Sequence, residues 1–361
     1  MTNIDMINPR SPKIRVLIVD DSAGMRMMLE RIFNDDPACE VAGTAGDGDE
    51  ALAAVQRLAP DVVTMDINMP GMDGLEATRR IMEVHPTPIV IVSGNLDAEE
   101  VLSSFRAMEA GALLALPKPR GAASPGHEAD IALLVGKVKL MAGVKVVRRW
   151  PRSGKKILPP LLPDAPIQVK AVPRIVALGA STGGPVVINT ILSSLPQDFP
   201  LPLLVVQHMA TGFISGFVDW LNISSRLPVR IARDGEEIRP GNVYVAAEGV
   251  HLEAATGGRI RLSGNDPENG QRPSVSALFR SVAEFYGDNA VAILLTGMGD
   301  DGAREMKLLK DRGAVTMAQD RESSVIFGMP GEAVKLGAAV YVLPPESIAA
   351  TLERLAKVKP T

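Results

Sequence analysis

A single cysteine, Cys39, occurs in 361 residues. One thiol closes no intramolecular disulfide and builds no thiolate metal cluster, so a reducing, cytoplasmic setting is expected. No apolar run approaches the roughly 18 residues a membrane helix requires, and no direct membrane insertion is expected. The opening MTNIDMINPRSPK has no apolar core of the kind a secretory leader carries. Positive charge is not in surplus either: the net charge of -4 offers no electrostatic case for nucleic acid. Histidine is scarce, with His85, His127, His208 and His251 the four candidates for a general base. What is present is apolar substance. Hydrophobic residues make up 46% of the chain, enough for full cores, and the length points to two domains.

The most informative stretch is Ile175-Val-Ala-Leu-Gly-Ala-Ser181-Thr-Gly-Gly-Pro185. An apolar run stops at a glycine, and a serine follows two residues on. Two more glycines and a proline then lead into Val186-Val187-Ile188. The pattern predicts a buried strand that breaks sharply into a helix. A serine in that turn lies beside a helix N-terminus, whose free N–H groups attract negative charge. Such a place suits a nucleophile whose reaction builds an oxyanion. A dinucleotide-binding turn has similar glycines, but it needs an acidic residue about 20 positions on. Here the next apolar run, Leu203-Leu204-Val205-Val206, ends in Gln207-His208. A purely structural tight turn accounts for the segment by itself equally well. The literal match to G-x-S-x-G at Gly179, Ser181 and Gly183 adds little.

The first third reads as five repeats of strand then helix, with apolar runs at residues 14–19, 41–45, 61–65, 88–92 and 113–116. Ser22 is placed to cap the first helix. Strands alternating with helices imply a parallel sheet with ligands at the carboxyl ends of the strands. Those ends carry Asp20, Asp21, Asp66, Ser93 and Lys118. Three carboxylates on adjacent strand ends repel unless a cation lies among them, and a hard, oxygen-loving Mg2+ is the natural partner. Lys118 and the Ser93 hydroxyl complete a cradle for a phosphoryl group.

The motifs VDDS (from Val19), MDINMPGMDGL (from Met65), VSG (from Val92) and PKP (from Pro117) resemble those of a response-regulator receiver domain. The resemblance covers residues 12–142. It implies a flavodoxin-like, five-stranded parallel sheet with Asp66 as phospho-acceptor and Asp20, Asp21 and Asp66 around Mg2+. It gives Ser93 the switch hydroxyl, pairs Lys118 with the phosphoryl group, and makes a chemotaxis histidine kinase the phosphodonor. Ala115 stands where many receivers carry an aromatic residue, which puts the usual hydroxyl–aromatic coupling in question. Residues 143–172 follow as a proline-rich basic linker, with Lys145, Arg148, Arg149, Arg152, Lys155 and Lys156. No aromatic interleaves usefully with these charges, so a semi-rigid solvated tether is the expectation rather than a nucleic-acid surface.

From residue 173 to 361 the chain again alternates, with apolar runs at 175–178, 203–206, 243–246, 290–295 and 314–316. A hairpin is expected over residues 251–262, turning at Thr256-Gly257-Gly258. This reads as a doubly wound α/β domain. If the strands at 175, 203 and 290 are neighbours, Ser181, His208 and the aspartates of Thr296-Gly-Met-Gly-Asp-Asp-Gly302 converge in one crevice. Those are the nucleophile, base and orienting acid of acyl transfer. The order Ser…His…Asp differs from the Ser…Asp…His of α/β-hydrolases. Among the histidines, His85 precedes a proline in the first domain, His127 lies in a polar loop, and His251 falls in a hairpin strand. His208 alone follows a buried parallel-type strand in the second domain.

GASTGGP (from Gly179), VVQHM (from Val205), LLTGMGDDG (from Leu294), RPSVSALFRSVAEFYG (from Arg272) and VIFGMPGEA (from Val325) resemble the chemotaxis protein-glutamate methylesterases. The resemblance implies Ser181 as nucleophile, His208 as base and Asp301 as the orienting acid, with Asp300 a bystander. It implies oxyanion support at Thr182 and Met298. It further implies a phosphorylation-activated esterase that removes methyl esters from glutamyl side chains in the cytoplasmic domains of chemoreceptors. The same enzymes deamidate receptor glutamines, and the esterase site needs no cofactor. Family members often continue the histidine motif with Pro-Pro-Gly-Phe, where this chain has Ala210-Thr211-Gly212-Phe213. An altered substrate groove is expected there. A DNA-binding regulator would share the receiver, but its second domain would be far shorter. An idle adaptor would have no need of all three triad residues. A non-flagellar chemosensory pathway would keep the chemistry and change only the target.

Overall fold

The computed structural model describes residues 12–94, 98–146 and 170–358. Most of the tether expected at 143–172, with most of its basic cluster, lies outside the described residues. The chain divides into two compact units, each built on a parallel sheet.

In the first, strands and helices alternate as β1 (Ile14–Val19), α1 (Ala23–Asp35), β2 (Cys39–Ala45), α2 (Gly48–Leu58), β3 (Val62–Met65), α3 (Gly74–Val84), β4 (Ile89–Ser93), α4 (Ala98–Ala110), β5 (Leu114–Pro117) and α5 (His127–Ala142). The sheet order is β2-β1-β3-β4-β5, parallel throughout. Helices cover both faces of such a sheet, which is why β1, β3 and β4 are near-continuous apolar runs rather than alternating ones. Short polar residues then start the helices. Ser22 Oγ accepts from the Met25 N–H at 3.3 Å, Asp47 from Glu50 at 2.8 Å and Asp73 from Glu76 at 2.8 Å. Each such cap contributes about 1 kcal/mol. His127, expected in a loop, instead opens α5, where its Nδ1 lies 2.6 Å from the Arg120 carbonyl.

The second unit runs β6 (Ile175–Ala180), α6 (Gly184–Ser194), β7 (Leu203–Gln207), α7 (Ile214–Ser224), β8 (Val229–Ile231), β9 (Val243–Val245), β10 (His251–Ala255), β11 (Arg259–Ser263), α8 (Val275–Phe285), β12 (Ala290–Leu294), α9 (Ala303–Asp311), β13 (Val315–Gln319), α10 (Met329–Lys335), β14 (Tyr341–Leu343) and α11 (Pro345–Ala356). Its sheet is seven-stranded and parallel, in the order β14-β13-β12-β6-β7-β9-β8. The chain builds outward from β6 through β7, then returns to β12 on the other side. Strand order therefore reverses at β6, and a crevice opens at the carboxyl ends there. The expected hairpin is the antiparallel pair β10-β11, with Gly257 and Gly258 left-handed at its turn. Strands β8 and β14 escaped the sequence reading because they are three residues long and only partly buried, unlike the equally short but fully buried β9.

Helix α8 packs its start against β6. A Cβ on Gly179 would fall 2.3 Å from Val275 Cγ1, and one on Gly302 would fall 2.4 Å from the same atom. Val275, the first residue of α8, is thus wedged between two glycines and fully buried. Gly179→Ala should overpack this seat and destabilise the second unit by about 1–3 kcal/mol. Denaturant unfolding measures the loss, and a midpoint unchanged from wild type would contradict the packing.

Candidate active site

Three strand ends meet at the crevice. After β6, the Ser181 N–H donates to the Thr296 carbonyl at 3.0 Å, and the Ser181 carbonyl accepts from the Gly184 N–H at 2.8 Å. Gly183 is left-handed at φ 79°, as the strand-to-helix break requires, and Pro185 lies in the first turn of α6. Ser181 itself is 8% exposed. At the end of β7, the His208 N–H donates to the Ala180 carbonyl at 2.9 Å. Buried Gln207 joins the two sides. Its Nε2 donates to the Ser181 carbonyl at 2.8 Å and to the His208 carbonyl at 2.7 Å. After β12, the Thr296 N–H donates to Gln319 Oε1 at 2.8 Å, and Thr296 Oγ1 donates to the Thr182 carbonyl at 2.9 Å. A Cβ on Gly297 would lie 2.7 Å from Ser181 Cβ, so only glycine lets the Met298 loop come this close. Met298, the next residue, has its side chain exposed.

Asp301 is 3% exposed, and its carboxylate is the most densely bonded in the crevice. Oδ1 accepts from Ser274 Oγ at 2.8 Å, the Ser276 N–H at 3.1 Å and Asn269 Nδ2 at 3.1 Å. Oδ2 accepts from the Val275 N–H at 2.7 Å and lies 3.0 Å from His208 Nε2. That last approach is close without being a well-aligned hydrogen bond. Burial works against the charge on Asp301, but His208, Ser276 and Asn269 outweigh it and hold the carboxyl well below the usual range. The carboxylate also meets the N-terminus of α8, whose free N–H groups favour an anion. Asp300, one residue earlier, is exposed. His251 is buried, with Nδ1 accepting from the Ser274 N–H at 3.2 Å and Nε2 donating to the Asp266 carbonyl at 3.0 Å. It braces the residue that caps α8.

The structure thus brings Ser181, Thr182, His208, Met298 and Asp301 to one edge. The sequence reading missed Gln207, Asn269, Ser274, Ser276 and Gln319. Asn269-Gly270 carried a turn signal, and Gln207 directly precedes the histidine; neither spacing says which side chain turns inward. Beside the edge lies a small cleft of about 50 Å³ lined by residues that include Met209, Thr211, Ile214, Glu248 and Arg272. The loop without prolines is held by Glu248, whose Oε1 accepts from the Gly212 N–H at 2.7 Å. Gly212 is left-handed there at φ 92°.

In the first unit, ligand oxygens of Asp20, Asp21 and Asp66 all lie within 4.8 Å of one another. Lys118 Nζ is 2.7 Å from both Asp20 Oδ2 and Asp66 Oδ2. Ser93, fully buried, passes its carbonyl to the Lys118 N–H at 2.7 Å. Burial raises the Asp66 carboxyl above its ordinary value, and Lys118 offsets only part of that. Burial likewise opposes the Lys118 charge, but its bonds to Asp20 and Asp66 prevail and raise it. Three clustered carboxylates against one touching lysine fit a hard divalent cation. A Cβ on Gly74 would lie 1.9 Å from the Asp66 carbonyl, so α3 begins as close as a glycine permits.

An acidic pocket on one parallel sheet and a serine, histidine and aspartate at the edge of another define a receiver-bearing α/β hydrolase. A response regulator receiver domain model matches residues 16–124, and a CheB methylesterase model matches residues 176–352. A "Protein-glutamate methylesterase/protein-glutamine glutaminase 4" of Geobacter metallireducens is 60% identical over 96% of this chain and 100% of its own. A protein-glutamate methylesterase/protein-glutamine glutaminase of Nitrosospira multiformis is 54% identical over 95% of this chain and 97% of its own. The solved methylesterase catalytic domain of Thermotoga maritima CheB is 40% identical, covering 51% of this chain and 100% of that one, with a TM-score of 0.49. The chain belongs to the CheB-type methylesterase/glutaminase family, in its receiver-bearing form.

The raised Asp66 carboxyl has a measurable consequence. An acid raised on folding favours the folded state most when protonated, so its charge costs stability above the raised value. Asp66→Asn should therefore make β1 and β3 amides exchange more slowly than wild type at neutral pH. The difference should shrink as pH falls through the raised value into the ordinary carboxylate range, because the wild-type carboxyl takes up its proton over that interval. Faster exchange in the variant at neutral pH would contradict the assigned cause.

Proposed function

We propose that the chain hydrolyses γ-methyl esters of glutamyl side chains in the cytoplasmic domains of chemoreceptors, deamidates receptor glutamines at the same site, and is switched by phosphorylation of Asp66. The division of labour is a receiver over residues 12–142, a tether over 143–172 and a catalytic domain over 173–361. The observation that carries this reading is the convergence of Ser181, His208 and Asp301 at the strand-order reversal, with the aspartate held ionised.

Ser181 Oγ attacks the γ-carbonyl and passes its proton to His208. With Nε2 turned to Asp301, Nδ1 is the nitrogen left to take that proton. The oxyanion meets the backbone N–H groups of Thr182 and Met298, each worth about 2.7–4 kcal/mol in the transition state. Methanol leaves with the proton from the imidazolium, or ammonia leaves when the substrate is a carboxamide. The imidazole then draws a proton from water, which attacks the acyl-serine and frees the glutamate. Asp301 stays ionised and takes up no proton; it orients the ring and balances its charge. In the receiver, an Asp66 carboxylate oxygen attacks the phosphoryl group carried on a histidine of a chemotaxis kinase, forming an acyl phosphate as the P–N bond breaks and the kinase imidazole leaves. Asp20, Asp21 and Asp66 would hold Mg2+, which when bound supplies positive charge beside the incoming phosphoryl oxygens. Lys118 pairs with that group, and Ser93 supplies the switch hydroxyl. No helix among the described residues is long and apolar enough to cross a membrane.

Methanol release from methylated receptor, with and without a small-molecule phosphodonor, tests the whole reading. Ser181→Ala, His208→Ala and Asp301→Ala should each lose turnover by roughly 10⁴-fold or more, and the Ser181→Ala/His208→Ala double variant should be little worse than either single one. Asp300→Ala should stay near wild type. Retained turnover in Ser181→Ala would remove the nucleophile from this scheme. A phosphodonor should raise wild-type turnover and label the chain. Asp66→Asn should neither label nor respond, and undiminished labelling there would place the acceptor elsewhere.

A further inference from the structure

Asn269 lies in the connection between β11 and α8. Both Asn269 and Gly270 are left-handed, at φ 50° and 71°. Glu268 and Gln271 pair across them, with N–H···O distances of 3.1 and 2.8 Å. This is a two-residue hairpin turn of the kind that asks for Asn-Gly. The turn accounts for the backbone but not for where the side chain points. Nδ2 reaches Asp301 Oδ1 at 3.1 Å and Ser276 Oγ at 3.2 Å. Ser274 Oγ and the Val275 and Ser276 N–H groups also bond Asp301, but they are the N-terminus of α8 and cannot change without disturbing the helix. Asn269 brings its donor from a separate, exposed segment.

We propose that Asn269 is a positioning residue that sets how strongly Asp301 holds a proton on the imidazole of His208, and thereby the lower pH limit of the esterase. The proposal rests on the assignment of Asp301 and His208 above. Each donor on a carboxylate takes up part of its negative charge, leaving less for the imidazolium. With fewer donors the imidazolium is held more firmly, and the base is freed only at higher pH. Other charges around the aspartate are accounted for. Glu268, beside Asn269, is paired with Arg280 at 3.0 and 2.5 Å, and that pair holds the Glu268 carboxyl below its usual range. Arg280 also faces Glu305 at 3.6 Å. His251 has both ring nitrogens engaged, and Asp300 is exposed.

The test is the pH profile of kcat/KM for ester hydrolysis by the full-length chain. Asn269→Gly keeps the left-handed turn at no steric cost and removes only the donor. The variant should stay folded, with thermal unfolding lowered only by the lost donor, and any fall in its alkaline plateau should be smaller than the loss below the limb. Its acid limb should move up by roughly half a unit or more, about a threefold loss of kcat/KM below the limb. Asn269→Asp, which turns a donor into a second carboxylate, should move the limb further in the same direction. An acid limb in Asn269→Gly that superimposes on wild type would overturn the proposal. So would an equal loss at every pH, since that is the mark of a merely structural role. The two levels of inference separate cleanly. Activity surviving in Ser181→Ala or His208→Ala sinks the site assignment itself. An unmoved limb in Asn269→Gly, with those variants dead, sinks only the role of Asn269.

Discussion

The second unit is arranged around one buried negative charge. A carboxylate that is almost fully covered costs several kcal/mol, on the order of the whole stability margin of a domain, unless donors surround it. Asp301 meets that demand with the N-terminus of α8, the Ser274 hydroxyl, the Asn269 amide and the His208 ring. The position of α8, the bracing of Ser274 by His251 and the Asn269-Gly270 turn all serve to bring those donors within reach. The histidine backbone is anchored separately, by the Ala180 carbonyl and the Gln207 carboxamide. It lies at the end of β7 because β7 neighbours β6, and it faces the aspartate because β12 flanks β6 on the other side.

Close approach is the second constraint, and missing side chains satisfy it. Gly179 and Gly302 leave the seat for Val275, Gly297 lets the Met298 loop touch the serine turn, and Gly184 leaves space for the Gln207 carboxamide. Gln207 then bonds both the Ser181 and His208 carbonyls, so these two residues share one rigid support. Catalytic geometry of this kind tolerates little slack.

The two acidic sites illustrate how donors decide the sense of a shift. Asp66 and Asp301 are similarly buried, yet one carboxyl is raised and the other lowered. Asp66 has the Ile67 N–H and Lys118, with a like charge at Asp20 against it. Asp301 has neutral donors on both oxygens and no carboxylate touching it. A carboxylate kept short of donors is ready to react with an electrophile and to accept a cation. One saturated with donors stays ionised and serves a neighbour. The chemistry proposed for each follows that difference.

The sequence by itself determined the alternating architecture, the strand ends and the residues standing on them. Buried parallel strands are continuous apolar runs that stop abruptly, so Asp20, Asp66, Ser181 and His208 could be read as strand-end residues before any coordinates. It also singled out His208 as the candidate base, because only that histidine follows such a strand in the second domain. Resemblance alone favoured Asp301 over Asp300, and only the tertiary structure shows Asp301 buried and Asp300 exposed, since adjacent residues in a glycine-rich loop carry no period. Tertiary structure alone brought in Asn269, Ser274 and Gln319, which lie many residues from their partners. Hydrogen bonds across such distances depend on the order of strands in the sheet, and strand order is set by packing of the whole domain rather than by any local pattern.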